Sequence, residues 1–299
     1  MVVSVCAFYA FVPLSVEQRD GARALWCGRA TELGVRGLLV VAEEGVNATI
    51  AGVREAVLQL TEEIRSWCGA PTFDCKWSEA PKFPFRNFKV DPRKDIIDAG
   101  PGYVAPTIDP ATNLSPSEFH KQLSDPATVV LDVRNWYESD LGAFRGAIKP
   151  PIKSFGEFPE FIAKSPLDRD ASVLIYCTGG IRCEKALTVM REQGFSKVHQ
   201  LSGGILRYLE EQDQGGSFEG ECFVFDSRVA VRADLSPSEQ FFLCRRCGDP
   251  TKTVEPCRKC GEHVPFCAPC AESHQWCSRQ CNSQKSRPQS GARREGLVE

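Results

Sequence analysis

Eight cysteines lie between Cys244 and Cys281, spaced as Cys244-x2-Cys247, Cys257-x2-Cys260, Cys267-x2-Cys270 and Cys277-x3-Cys281. A segment this short and polar has too little apolar side chain to fold around a core of its own. Two-residue spacing lets both thiolates of a pair reach one ion, and four thiolates complete a tetrahedral zinc site. The expectation is about two structural zinc ions, with His263 or His274 as substitutes for individual cysteines. Spacing does not fix which pairs share an ion. Iron–sulfur ligation is the alternative, because soft thiolates accept either metal.

The other seven of the fifteen cysteines are scattered from Cys6 to Cys222. A disulfide scaffold would need an oxidising compartment. The apolar opening over residues 1–12 has no Lys or Arg before it and runs into Pro13, so it reads as a buried strand rather than a signal peptide. No apolar run reaches membrane-spanning length. The expectation is a cytoplasmic protein without a membrane partner. A hydrophobic fraction of 42% and a charged fraction of 25% are ordinary for a globular chain, and 299 residues allow two or three domains. With a net charge of -3, contact with a polyanion must come from a local patch.

Residues 1–97 read as an α+β unit. A strand ending before Pro13 precedes a helix over 16–33, then strands over 36–42 and 47–51, a helix over 53–67 and a strand over 72–77. That order suits a ferredoxin-like (acylphosphatase-like) sandwich. Residues 98–114, rich in Pro and Gly, read as a linker. From 115 to 214 strands and helices alternate, which argues a parallel α/β sheet. The alternation starts with a capping box, Ser115-Pro-Ser-Glu118. Residues 215–281 form the cysteine-rich zinc-binding region, and 282–299 a polar, disordered tail.

Within the α/β unit, the strand over 172–176 ends at Cys177-Thr-Gly-Gly-Ile-Arg182, which leads into a helix over 182–193. The helix amides and a nest formed by Gly179 and Gly180 favour an anion, so the Cys177 thiol should be depressed. Arg182 adds a fixed positive charge, and Thr178, Gly179, Gly180 and Ile181 line the loop as candidate substrate contacts. A phosphatase loop needs five residues between Cys and Arg; here four intervene, so sulfur chemistry is favoured. Cys183 has two readings, a resolving thiol for oxidised Cys177 or a helix-face cysteine. Glu184 and Lys185 read as a solvated first helical turn, with substrate contact as the alternative.

Asp132-Val-Arg134, Gly146-Ala147, the Cys177 loop and Leu201-Ser-Gly-Gly-Ile205 resemble the landmarks of a rhodanese domain. The longer strings Tyr176-Cys-Thr-Gly-Gly-Ile-Arg-Cys-Glu-Lys185, Glu43-Glu-Gly-Val-Asn-Ala-Thr-Ile-Ala-Gly52, Phe144-Arg-Gly-Ala147 and Phe223-Val-Phe-Asp226 resemble the tRNA uridine hydroxylase family over about residues 3–281. The resemblance implies an oxidoreductase of the monooxygenase type. Such an enzyme hydroxylates the wobble uridine of certain tRNAs to 5-hydroxyuridine, with O2 as co-substrate and Cys177 essential. One departure is Gly156, where the family pattern suggests Arg. The sequence carries no flavin or haem motif.

Lys76, Lys82, Arg86, Lys89, Arg93 and Lys94 alternate with Phe83, Phe85 and Phe88. Basic residues interleaved with aromatics suit phosphate contacts and base stacking on tRNA, and a strand with an exposed basic face would look the same. Lys82, Arg86 and Lys89 are the candidate RNA contacts; no DNA partner is expected. A thiosulfate or persulfide sulfurtransferase, or a non-catalytic zinc- and RNA-binding module, are the alternatives. The first needs neither the 1–97 unit nor the eight cysteines, and the second has little use for Cys177 with Arg182.

Overall fold

A computed structural model describes residues 2–100, 110–273, 277–278 and 281. Part of the expected linker, the tail from 282 and His274 lie outside the described residues. The chain divides into two units, one ending at Glu239 and one starting at Gln240. Among the described residues, no helix is long and apolar enough to cross a membrane.

The first unit opens with β1 (Val3–Phe11), α1 (Val16–Glu32), β2 (Arg36–Ala42), β3 (Gly45–Gly52), α2 (Arg54–Cys68), β4 (Lys76–Ala80) and β5 (Phe88–Pro92). The strands form one sheet in the order β4-β1-β3-β2-β5. All neighbours are antiparallel except β2 and β5, which run parallel. Alternation along β1 turns Cys6 and Phe8 onto the helices, where they meet Trp26, Leu60 and Ile64 in one core. Ser15 and Gln18 cap α1 reciprocally. The expected ferredoxin-like sandwich is present, with β5 as an additional edge strand.

Two details differ from the sequence expectation. β4 is displaced towards the C-terminus from residues 72–77, because Val3 pairs with Ala80 and Ala7 with Lys76. The preceding residues are instead tied outward, with Arg207 Nη2 donating to Asp74 Oδ1 at 2.5 Å and to the Cys75 carbonyl at 2.8 Å. Lys76 also leaves the basic surface stretch: its side chain is buried, and its Nζ donates to the Asp74 carbonyl at 2.7 Å.

The chain continues through β6 (Asn113–Leu114), α3 (Pro116–Gln122), β7 (Val129–Asp132), α4 (Trp136–Ser139), β8 (Gly142–Phe144), α5 (Phe158–Lys164), β9 (Val173–Tyr176), α6 (Ile181–Glu192), β10 (Val198–Leu201) and α7 (Gly204–Glu211). Its central sheet has the order β6-β10-β9-β7, parallel throughout. α5 and α6 contribute Phe158, Ile162 and Met190 to a core on one face. α3 and α7 contribute Phe119, Ile205 and Tyr208 to a core on the other. This is the rhodanese arrangement expected from the landmarks. β11 (Phe218–Gly220) pairs with β8, and β12 (Cys222–Phe223) with β13 (Ala230–Val231). Phe218, Cys222 and Val231 belong to the same core as Phe119.

Among its described residues, the second unit holds two short hairpins and a helix. β14 (Phe242–Leu243) pairs with β15 (Pro250–Thr251), β16 (Val254–Pro256) pairs with β17 (His263–Pro265), and α8 (Ala268–Ser273) follows. Each hairpin turns on a Cys-x2-Cys-Gly knuckle. Gly248 donates to the Cys244 carbonyl at 3.0 Å and Gly261 to the Cys257 carbonyl at 2.8 Å, both with positive φ.

Candidate active site and metal centres

Cys177 follows the last residue of the central strand β9, and its loop is gripped from below by the first turn of α7. Ile205 donates its amide to the Cys177 carbonyl at 2.9 Å, and Leu206 to that of Thr178 at 3.0 Å. Gly204 makes this approach possible. A Cβ there would stand 2.6 Å from the Cys177 oxygen and 2.8 Å from the amides of Gly179 and Gly180. The loop bends back so that Gly180 donates its amide to Cys177 Sγ at 3.1 Å.

Burial alone would raise the Cys177 thiol. The Cys183 thiol donating to it, the Arg182 charge and the amides of Cys183 and Arg182 outweigh that, bringing it from 9.0 down to about 5. Burial and the neighbouring Cys177 push Cys183 the opposite way, well above 9.0. The two thiols are therefore driven in opposite directions, Cys177 towards the anion and Cys183 towards the neutral form. Both residues are fully buried.

Arg182 does not reach out of the loop. Its guanidinium donates to Glu138 Oε1 at 2.5 Å and Oε2 at 2.7 Å, with Thr178 Oγ1 bridging at 3.3 Å to each partner. Glu138 is fully buried. Sequence reasoning missed it, although it closes a capping box with Asn135 directly after the Asp132-Val-Arg134 landmark. Arg134 is held in a buried pair with Asp132 at 2.6 Å and donates to the Gly142 carbonyl.

The expected solvated turn at Glu184 and Lys185 is overturned, since both are buried. Lys185 Nζ pairs with Glu44 Oε1 at 2.9 Å, and that oxygen also accepts the Ile96 amide at 2.8 Å. Glu184 Oε1 accepts from the Tyr9 hydroxyl at 3.2 Å, and burial raises both groups. The cause is the N-terminal sheet, which lies against the start of α6 and removes it from water.

That sheet also forms the wall facing the Cys177 loop. A Cβ on Gly180, whose φ is +101°, would stand 2.9 Å from the Tyr9 hydroxyl, and one on Gly179 3.8 Å from Lys76 Cε. Lys76 Nζ lies 4.8 Å from the Tyr9 ring centre. Beside this contact is a pocket of about 350 Å³, lined by Tyr9, Phe11 and Asp74 on one side and by Gly180, Glu184 and Gln200 on the other. Tyr9 and Gln200 carried no recognisable sequence signal, and Lys76 was legible only as part of the basic stretch.

Lys82, Arg86 and Lys89 are exposed. The aromatic residues between them are committed to packing: Phe83 and Phe85 rest on Val3, Val5 and Ala51, and Phe88 on the core beneath α1. Phe83 also carries the Arg36 guanidinium 4.2 Å above its ring.

The eight C-terminal cysteines sort into two interleaved quartets. Cys244, Cys247, Cys267 and Cys270 form one, Cys257, Cys260, Cys277 and Cys281 the other, with the ligand atoms of each within 4.8 Å of one another. Sulfur separations of 3.5, 3.6 and 3.8 Å match the edge of a tetrahedron around one ion, about 3.8 Å for a metal–sulfur bond of ~2.3 Å. A two- or four-iron cluster divides the four thiolates among its irons and would hold those on different irons further apart than 4.8 Å. The donor set therefore fits one tetrahedral ion per quartet.

Three family models cover this architecture in order: a UPF0176 acylphosphatase-like domain over residues 3–96, a rhodanese-like domain over 115–211 and a rhodanese C-terminal model over 219–282. The tRNA uridine(34) hydroxylase of Bdellovibrio bacteriovorus is 41% identical over 249 residues, covering 83% of this chain and 70% of that protein. That of Teredinibacter turnerae is 39% identical over 254 residues, covering 84% and 78%. That of Legionella pneumophila is 41% identical over 235 residues, covering 78% and 92%. With the rhodanese loop and the N-terminal wall in place, these relationships show that the chain belongs to the tRNA uridine(34) hydroxylase family.

Proposed function

We propose that this protein hydroxylates the wobble uridine of tRNA to 5-hydroxyuridine, with O2 as co-substrate and the Cys177 thiolate as nucleophile. The observation that carries the reading is Cys177 Sγ accepting the Gly180 amide at 3.1 Å in a loop with one residue fewer than a phosphatase cradle and with its arginine tied to Glu138. Uracil C5 does not react with O2 directly. Addition of a thiolate to C6 pushes electron density to C5 and makes that carbon the nucleophile. Loss of the C5 proton later expels Cys177 and restores the ring.

The pocket beside Gly180 has the size of a pyrimidine nucleoside, and Glu184 and Gln200 offer polar groups for its edge. Cys177 has no solvent contact, so substrate access requires the loop or the wall against it to move, and Tyr9 and Lys76 are the wall residues nearest Gly180 and Gly179. Thr178 and Arg182 act through the loop, while Gly179, Gly180 and Ile181 bound the approach to the sulfur. The two cysteine quartets hold structural zinc, Lys82, Arg86 and Lys89 meet tRNA phosphates, and the site of action is the cytoplasm.

The test is nucleoside mass spectrometry of tRNA incubated aerobically with the purified protein and a thiol reductant. Wild-type protein should generate 5-hydroxyuridine and Cys177→Ser none. Equal product from the variant would remove Cys177 from the chemistry.

A further inference from the structure

Hydroxylation by O2 places one oxygen atom on C5 and releases the other as water, which requires two electrons beyond those the uracil supplies. We propose that Cys177 and Cys183 are that two-electron donor, closing to a disulfide once per turnover. The proposal rests on the uridine-hydroxylase reading of the Cys177 site.

Cys183 is the third residue of α6, and its amide donates to the Gly180 carbonyl at 3.0 Å, which turns the chain back over the loop. The same Gly180 donates its own amide to Cys177 Sγ at 3.1 Å, so one residue ties both cysteines together, and both sit fully buried in the core formed by β9, α5 and α6. A buried thiol packed in the same core as a nucleophilic sulfur is placed to meet whatever forms on the carbon next to that sulfur. In the covalent adduct C6 is bound to Cys177, and C5 is its neighbour.

The steps balance. Cys177 adds to C6, and C5 attacks O2 to give a C5 hydroperoxide once the peroxide is protonated. Cys183 sulfur attacks the distal oxygen; the O–O bond breaks, and the Cys183 proton passes to the oxygen left on C5. The products are a C5 hydroxyl and a Cys183 sulfenic acid. Loss of the C5 proton expels Cys177 as a thiolate and leaves 5-hydroxyuracil. Cys177 then attacks the sulfenic sulfur, forming the disulfide and releasing water. In sum, uracil, O2 and two thiols give 5-hydroxyuracil, one disulfide and one water. An external thiol reductant restores the dithiol.

The inequality of the two sulfurs fits this division. Cys177 is the anion needed for addition to C6, whereas Cys183 keeps the proton that the breaking O–O bond requires.

The experiment withholds reductant from pre-reduced full-length protein given tRNA and air, then counts product and maps thiols by mass spectrometry. About one 5-hydroxyuridine per chain should form, matched by an equal amount of Cys177–Cys183 disulfide, with turnover resuming on addition of dithiothreitol. Cys183→Ala should lower the reductant-free yield by about tenfold or more. Product formed while both cysteines remain thiols overturns the proposal but leaves the hydroxylase reading standing. So does a disulfide that accumulates equally without tRNA. No 5-hydroxyuridine even with dithiothreitol present overturns both. If Cys183→Ala fails to fold, the wild-type stoichiometry decides alone.

Discussion

Glu138 and Arg182 form a two-pronged ion pair at 2.5 and 2.7 Å with both side chains buried, so the arginine of the loop is committed before any substrate arrives. Removing one partner of such a pair strands the other charge in the core. Glu138→Ala should therefore lower unfolding stability by about 3–5 kcal/mol, measured by urea denaturation. The milder Glu138→Gln leaves the Arg182 charge unopposed beside Cys177, so the Cys177 midpoint should fall further. An unchanged midpoint would mean that Arg182 does not reach Cys177 electrostatically.

Cys183 carries the second prediction. Cys177 is ionised above its midpoint of about 5, and the Cys183 thiol is the strongest of the groups holding it down. Cys183→Ala deletes that donor, so the midpoint should rise and the thiolate should be lost at a higher pH than in wild type. Thiolate ultraviolet absorbance, taken as the difference from a Cys177→Ser background, reads this without needing access to the buried sulfur. A midpoint that stays near 5 would assign the depression to Arg182 and the loop amides alone.

The interleaved quartets give the third. Paired substitutions separate this arrangement from a sequential one. Cys244→Ser with Cys267→Ser touches one quartet and should reduce bound metal from about two ions to about one. Cys244→Ser with Cys257→Ser touches both and should remove nearly all of it. Equal loss in the two double variants, read by metal analysis of folded protein, would contradict the assignment of Cys267 to the Cys244 site.

Much of this was legible in the sequence because local chemistry wrote it there. The Ser115 capping box, the strand ending at Cys177 and the eight paired cysteines each follow from spacing within a few residues. What spacing cannot carry is contact between distant segments. Glu184 and Lys185 have the composition of a solvated turn, and only the approach of Tyr9 and Glu44 from the N-terminal sheet buries them. Lys76 departs from the basic surface stretch for the same reason. Its register on β1 turns it inward, and a one-residue shift in strand pairing decides which face a side chain takes. The quartets could not be paired from sequence because all four cysteine pairs have nearly the same spacing.

Lys82, Arg86 and Lys89 supply the last prediction. All three are exposed, and Lys89 is only loosely held by Asp91 at 3.4 Å, which prefers Arg93 at 2.7 Å. Exposed pairs of this kind are weak and leave the lysine available to a phosphate. The aromatic residues between them are packed on the sheet, so the stretch should act through charge rather than base stacking. Every phosphate left without its basic partner takes about 0.7–0.9 from the slope of log affinity against log salt. Changing all three to Glu should weaken tRNA binding and flatten that slope by about two to three. The rate of hydroxylation at saturating tRNA should remain, because none of the three borders the Cys177 loop or its pocket. Filter binding over a salt series is the measurement. A slope equal to wild type would assign these residues to an ordinary solvated edge and leave the tRNA surface to be found elsewhere.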